Sequence, residues 1–566
     1  MSLLFSPGQI GTMELRNRLV MPAMTTRLAN EDGTVSDATI AYFAARAAGG
    51  TGLVTVEMAS PERVGRHRFR ELGIYDDRFL PGLRRLTDAL HAHGAKASIQ
   101  LGHAGGHTRE DICGEPPIAP WSMPHYVFEK TGATVTPLEM TQERIEQTVR
   151  AFVAAAVRAR NANFDCVEIH GAHGYLLSQF LCPAENRRRD MYGGSTENRA
   201  RISLQILTRI RTELRGFPLI FRLNANDYFP GGLRFGDALQ VAKWAAEAGA
   251  DALHVTAGHY RSLPSAHMMT PPMNCAEGIF VDYAARIKAE VCVPVIAVGR
   301  LGDPALATSV VDEGKADFIA LGRSLIADPD WVRRAQAGKA IRRCLSCNAC
   351  VDGMRGGDQL RCVVNPAAAR ELDYASPRLP EGERIAVIGA GPAGLSYAAL
   401  VADTNTVTVY EKSTRSGGAL RYAGLAPRFQ DVEARQTPLD NFIEALERTC
   451  NEKRVRFVYG ADIKNASQLA ANDFDRVVIA TGARYRLGLG PLLLTLIRRG
   501  WARVPVLRWV FARPKVRDWL YYGAREPLVP KLGKLRGKVL VIGDAVAPGK
   551  TREAIASAFD TALSRS

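Results

Sequence analysis

Four cysteines stand close together: Cys344, Cys347 and Cys350 with two residues between neighbours, then Cys362 after eleven more. Four thiolates hold either a tetrahedral zinc ion or an iron–sulfur cluster. Structural zinc sites usually pair two Cys-x-x-Cys knuckles. Three ligands on one turn and a lone fourth suit a four-iron cluster better, so 4Fe-4S is favoured over zinc. Chance is a poor account, because free cysteines are usually scattered as small buried hydrophobes. A cluster moves single electrons, so redox centres are expected on both sides of it.

A second reactive group lies upstream, His170-Gly-Ala-His173-Gly-Tyr175. Two histidines three apart can be structural, can hold a metal, or can donate together to one carbonyl oxygen. No carboxylate stands at metal-ligand spacing, which favours the donors. They would stabilise the negative charge that develops on that oxygen when hydride adds to the β-carbon. Tyr175 would then deliver the proton to the α-carbon.

The elements that must position these side chains read clearly. Short β-rich runs at 19–24, 53–58, 96–101, 166–170, 219–223, 252–256, 295–298 and 318–321 alternate with helical stretches at 37–48, 80–93, 141–160, 197–214, 235–248, 281–289, 304–313 and 330–337. Such alternation predicts a parallel sheet, and eight units predict a closed (β/α)8 TIM barrel with function at the C-terminal strand ends. Those ends carry Pro22-Ala23-Met24-Thr25, Gln100, His170, Arg222, Gly299-Arg300 and Gly322-Arg323. Glycines after the last two strands match the usual barrel phosphate site and imply a phosphorylated cofactor. Arg222 and Gln100 would project inward beside it, and a fixed cation there suits an anionic reduced flavin.

The first 340 or so residues resemble the Old Yellow Enzyme family of FMN-dependent barrels. The resemblance rests on Leu15-Arg-Asn-Arg18, Gln100-Leu-Gly-His-Ala-Gly105, His170-Gly-Ala-His-Gly-Tyr-Leu176 and Asp190-Met-Tyr-Gly-Gly-Ser195 with Asn198-Arg199. It implies that Pro22, Ala23, Met24, Thr25, Met58, Gln100, Arg222, Gly299, Gly322 and Arg323 line FMN. It also implies that His170 and His173 hold the substrate oxygen and that Tyr175 is the proton donor. With Cys344-x-x-Cys347-Asn and Cys362-x-x-Asn365-Pro366, the chain resembles the iron–sulfur branch: 2,4-dienoyl-CoA, enoate and bile-acid reductases, and trimethylamine dehydrogenase. The cysteine spacing follows that dehydrogenase. Yet Met24 stands where it carries its FMN-linking cysteine, and Met58 and Met354 stand at parts of its aromatic cage, a cation–π device.

Downstream, 377–383 reads as a linker. A strand at 384–388 then meets Gly389-Ala-Gly391-Pro-Ala-Gly394 opening a helix, and the next strand ends in Glu411, about twenty residues on. That context makes a dinucleotide fingerprint, with pyrophosphate at the helix start and Glu411 on a ribose hydroxyl. Gly417-Gly418, Val477 to Gly482 and Gly543-Asp544 resemble the FAD domain of the same family, so FAD or another ADP-type dinucleotide is expected there. Asp544 and Gly543 normally close on the ribityl and pyrophosphate end. The expected domains are 1–342 for FMN, 343–372 for the cluster and 380–566 for FAD. An insert at 484–538 replaces the NAD(P)H domain of the family.

The stretch 484–517 holds nine Arg or Lys and no Asp or Glu, with Trp501, Trp509 and Phe511. It reads either as a reduced cap on the FAD domain or as a basic surface for an acidic redox partner or an anionic membrane. The net charge is +15, but no nucleic-acid motif accompanies it, so nucleic acid is not expected as a partner. Cys113, Cys166, Cys182, Cys275, Cys292 and Cys450 are spread out, no secretory signal opens the chain, and no apolar run reaches membrane-spanning length. A cytoplasmic homo-oligomer is expected. The reading that unites these features is an NAD(P)H-linked flavin and iron–sulfur reductase of a small molecule bearing a C=C bond conjugated to a carbonyl. Its alternative is an amine or N-methyl dehydrogenase that passes electrons to an external protein.

Overall fold

The computed structural model describes residues 2–127, 132–375, 379–469, 473–486, 489–533 and 535–563. Pro377 and Arg378 of the expected linker, and Leu487, Gly488 and Lys534 of the expected insert, lie outside the described residues. The chain forms two units: Met1–Leu325 with Pro329–Gln336 and Val351–Leu360, and Ile326–Asp328 with Ala337–Cys350 and Arg361–Ser566.

In the first unit eight parallel strands close into a barrel: β1 (Leu19–Met21), β2 (Leu53–Ala59), β3 (Lys96–Leu101), β4 (Cys166–Gly171), β5 (Leu219–Asn224), β6 (Ala252–Thr256), β7 (Val295–Ala297) and β8 (Phe318–Ala320). Helices cover the outside, so the strands are buried on both faces and read as nearly continuous apolar runs. The expected first strand ran to 24. It stops at Met21 because Pro22 has no N–H to continue the ladder. The helices begin where a side chain caps their free N–H groups: Ser36 on Thr39, Thr141 on Arg144, Ser195 on Asn198 and Asp303 on Leu306.

The barrel interior is layered by the two-residue period of its strands. Near the strand starts, Val20, Leu53, Cys166, Ile220, Ala252, Ile296 and Phe318 pack with Ile10, Met13 and Leu15. The latter three belong to a short antiparallel ribbon, Gly8–Ile10 with Met13–Leu15. Each large side chain buried there contributes about 1.5–3 kcal/mol relative to exposure. Two residues further along the same strands the inward positions become polar: Glu168, Arg222 and His254. An apolar floor therefore carries a charged upper layer.

The second unit is built on five parallel strands: β9 (Arg384–Ile388), β10 (Thr406–Glu411), β11 (Arg456–Tyr459), β12 (Arg476–Ile479) and β13 (Lys538–Val541), in the order β11-β10-β9-β12-β13. Strand order reverses beside β9, where a doubly wound sheet binds its ligand. Between β12 and β13 an antiparallel ribbon, Ala483–Tyr485 with Arg525–Pro527, carries helices Leu489–Arg498, Pro505–Ala512 and Pro514–Asp518.

Candidate active site and cofactor sites

His170, at the end of β4, sits opposite Arg222 on β5, which sits opposite His254 on β6. Glu168, two residues before His170, is the hub of this layer. It accepts from Gln100 Nε2 at 2.6 Å and pairs with His254 Nδ1 at 2.6 Å. Burial alone would raise the Glu168 carboxyl, but His254, Arg222 and Gln100 together outweigh it and hold the group at about 2. Burial keeps His254 below its ordinary value, so at neutral pH the charge that balances Glu168 is that of Arg222.

His173 adopts a left-handed backbone, φ 66°, uncommon for a residue with a Cβ. Its N–H donates to Asn224 Oδ1 at 3.3 Å, and its Nε2 lies 3.0 Å from Thr256 Oγ1. The turn brings its ring to 5.2 Å from that of His170 and leaves Tyr175 5.0 Å from His170, centroid to centroid. Burial, and then the Arg222 charge, hold both histidines well below their ordinary value. They are neutral at pH 7, so each ring carries a single N–H, as imidazole and not imidazolium. Tyr175 is pushed well above the ordinary phenol value by burial and then by Tyr260, so its proton stays on. Its hydroxyl lies 3.1 Å from His67 Nδ1. Tyr260, 5.6 Å from Tyr175 by ring centroids, accepts from Arg68 at 3.2 Å. Burial opposes its ionisation, but the Arg68 and Arg355 cations prevail and bring it down to about 8.

The barrel mouth carries polar atoms that the protein does not satisfy. Arg222 Nε, His170 Nδ1 and His254 Nε2 are buried without a hydrogen-bond partner. Such atoms in a folded interior point to a ligand or water that completes them. At the end of β1, Ala23, Met24 and Thr25 are half-buried, and Met58 is buried at a bulge in β2. Gly299 has φ 117°, reserved for glycine, and Gly322 packs close to Met24 Sδ. Arg323 donates to the Pro271 carbonyl at 2.7 Å, and Arg300 turns onto the carbonyls of Pro272, Met273 and Cys275. These two arginines fasten the loop before α-helix Val281–Lys288. Glycine turns, an inward arginine and unsatisfied donors fit a phosphorylated, anionic flavin.

No disulfide joins any two of the ten cysteines. Ser346 and Asn348, between the first three clustered ones, both take the left-handed backbone, and the Ser346 N–H donates to Cys344 Sγ at 3.3 Å. Burial first, and then the sulfurs of Cys350, Cys344 and Cys362, push the Cys347 thiol well up. The four sulfurs thus act on one another in a partly buried site, which fits a four-thiolate ligand set. Asn365 fixes the chain after Cys362 by donating to the Ile326 carbonyl at 2.9 Å.

In the second unit the glycine turn lies between β9 and helix Pro392–Val401, with Gly391 at the N-cap. A Cβ at Gly394 would fall 2.0 Å from the Gly389 carbonyl, so only glycine lets helix and strand approach. Glu411 accepts from the N–H groups of Ala390 and Ser413 at 2.8 and 2.9 Å. Gly418 lies against Gly391, and Gly543 against Ala393. Asp544 accepts from Arg525 at 2.7 Å, a partner supplied by the insert. Within the insert, Arg503 donates to the carbonyls of Gly424 and Ala434 at 2.7 and 3.0 Å, and Arg517 pairs with Asp431 at 2.6 Å. Arg499, Arg508 and Arg513 are exposed, with Arg513 stacked over exposed Trp509 at 3.5 Å.

Sequence reasoning assigned no role to Glu168, His254, His67, Arg68 or Tyr260. Glu168 and His254 carried a usable signal: each is an ionisable residue at inward parity in a strand whose preceding residues are all apolar. The other three lie in loops after β2 and β6 and carried none beyond their place at the C-terminal ends.

Residues 3–341 match the family described as NADH:flavin oxidoreductase / NADH oxidase, and residues 387–433 match an NAD(P)-binding Rossmann-like domain. The chain belongs to the NADH:flavin oxidoreductase / NADH oxidase family. It is an FMN-type oxidoreductase acting on a small molecule. It is 40% identical over 489 residues to an NADH oxidase of Thermoanaerobacter brockii, covering 85% of this chain and 73% of that protein. It is 32% identical over 510 residues to a cinnamate reductase of Clostridium sporogenes, covering 86% and 74%. Its fold is that of a 2-naphthoyl-CoA reductase, with TM-score 0.85, 24% identity and 99% of each chain covered. Among the described residues no helix is long and apolar enough to cross a membrane.

Proposed function

We propose that this chain reduces a C=C bond conjugated to a carbonyl. The observation that carries the reading is the buried pair of neutral histidines, 5.2 Å apart, with a protonated tyrosine beside them. Relatives that include a cinnamate reductase support it. Bound FMN supplies the hydride. His170 and His173 donate to the carbonyl oxygen and stabilise the charge that builds there, worth about 3–4 kcal/mol per well-placed donor. Tyr175 gives its proton to the α-carbon, and His67 orients the hydroxyl. Gln100, held by Glu168, and the Arg222 cation bind the flavin edge, while Pro22, Ala23, Met24, Thr25, Met58, Gly299, Gly322 and Arg323 form its seat. Cys344, Cys347, Cys350 and Cys362 hold a 4Fe-4S cluster. Gly389, Gly391, Gly394, Glu411, Gly418, Gly543 and Asp544 seat the ADP part of FAD. NAD(P)H is the electron donor, and the exposed Arg499, Arg508 and Arg513 receive an acidic redox partner.

The cysteine spacing favours a second reading, amine oxidation. Two anaerobic photometric titrations separate them. With an enone, such as cyclohex-2-enone, reduced protein should regain the oxidised flavin spectrum. Bleaching of oxidised protein by a tertiary amine, with no response to the enone, would replace the first reading by the second.

A further inference from the structure

A separate cluster of ligand-type side chains lies behind Tyr260 and has no part in the chemistry above. His107 follows β3, His125 opens a hairpin strand (His125–Val127), and Glu185 follows the helix Leu176–Leu181. One ligand atom from each lies within 4.8 Å of the others, and all three residues are buried. His107 Nδ1 lies 3.2 Å from the Tyr126 carbonyl, which can only accept, so Nδ1 carries the proton and Nε2 the lone pair. That Nε2, His125 Nε2 and both carboxylate oxygens of Glu185 are buried without a hydrogen-bond partner. Leaving so many polar atoms unsatisfied is costly.

His259 plays a different part. Its Nδ1 accepts from the Arg261 N–H at 3.1 Å, so the proton is on Nε2, which lies 3.5 Å from Glu185 Oε2. A ring N–H aimed at a ligating carboxylate is the usual support around a metal. Cys182 is also near, but its thiol is engaged with Asp227. Arg261, whose side chain reaches solvent, lies 3.5 Å from Glu185 Oε1 and is the competing cation.

We infer that His107, His125 and Glu185 bind one divalent transition-metal ion of the zinc class, with His259 orienting Glu185. Two imidazoles and a carboxylate suit zinc, which binds nitrogen and oxygen at about 2.0–2.2 Å with tetrahedral geometry. The ion ties together three segments that share no backbone ladder. His107 packs 5.3 Å from Tyr260, and Tyr260 packs 5.6 Å from Tyr175, centroid to centroid. The ion is therefore a clamp on the wall of the active site.

The test uses the holoenzyme from zinc-supplemented growth, dialysed against a weak chelator, with zinc, iron and flavin counted per chain. Wild type should retain one zinc, and Glu185→Gln and His107→Gln at least tenfold less, with iron and flavin unchanged in all. His259→Gln should bind zinc about 10–100-fold more weakly, as loss of such a support does. If the substitutions impair folding, chelator-stripped wild type titrated with zinc gives the readout, and its Tm should rise. Zinc retained equally by wild type and Glu185→Gln, or a wild type that neither retains zinc nor gains Tm, would overturn the assignment.

Discussion

The barrel mouth and the glycine turn of the second unit are both built to meet a nucleotide, and they differ in how their charged groups are partnered. At the mouth, Arg222 Nε and His170 Nδ1 are buried without hydrogen-bond partners. At the turn, both oxygens of Glu411 are taken by backbone N–H groups, and Asp544 is paired with Arg525 from the insert. Unsatisfied buried polar atoms mark a place where the fold spends stability on a reaction. Satisfied acids mark a place where the same motif also serves as scaffold. The unsatisfied groups of the barrel mouth should therefore answer to substitution in rate, and the satisfied acids of either unit mainly in stability and affinity.

The largest effect should come from His170→Ala with His173→Ala. Losing both carbonyl donors should lower kcat for an enone by about 10²–10³ or more, with flavin content retained. Unchanged turnover in the double variant would show that the oxygen is held elsewhere.

Next comes Glu168→Gln, which strips the counter-charge from buried Arg222 and should cost about 3–5 kcal/mol of stability, read by denaturant unfolding at pH 7. The carboxyl sits at about 2, below its ordinary value of 4.5. Its contribution is thus complete above about 4.5 and is lost as pH falls toward 2. Wild type should lose stability across that window more steeply than the variant. Parallel curves would remove Glu168 from the role of hub.

A smaller effect is set by Tyr260, whose hydroxyl sits at about 8. Above that pH its phenolate makes Tyr175 hold its proton more tightly, so kcat/KM should fall on the alkaline side. Tyr260→Phe should flatten that limb by up to about tenfold at pH 9, since one pH unit past a pKa changes a populated form by that factor. An unchanged limb would assign it to another group.

The smallest effect belongs to the insert. Charge reversal at Arg499 and Arg508 should slow electron entry from an acidic redox protein several-fold at low salt, and added salt should erase the difference, because exposed charges are screened within about 10 Å at 0.1 M. Arg503→Ala should instead lower Tm, since Arg503 fastens the insert to Gly424 and Ala434. Salt-independent rates in both proteins would leave the insert as a cap alone.

What the sequence determined by itself is the architecture and the choice of residues proposed to react. Strand and helix periods, caps and glycine turns are local, and they placed eight βα units, the dinucleotide turn and the four clustered cysteines within a few residues of where they lie. His170, His173 and Tyr175 were legible because they stand close together on one strand end. The tertiary structure alone decided how those residues are tuned and held. Glu168, Arg222 and His254 meet because strand closure puts three inward positions side by side. Tyr260 meets Tyr175, and His107 meets Glu185, because loops far apart in the chain fold over the same end of the barrel. Electrostatics and hydrogen bonding act through space over a few ångströms, and no spacing along the chain encodes that distance.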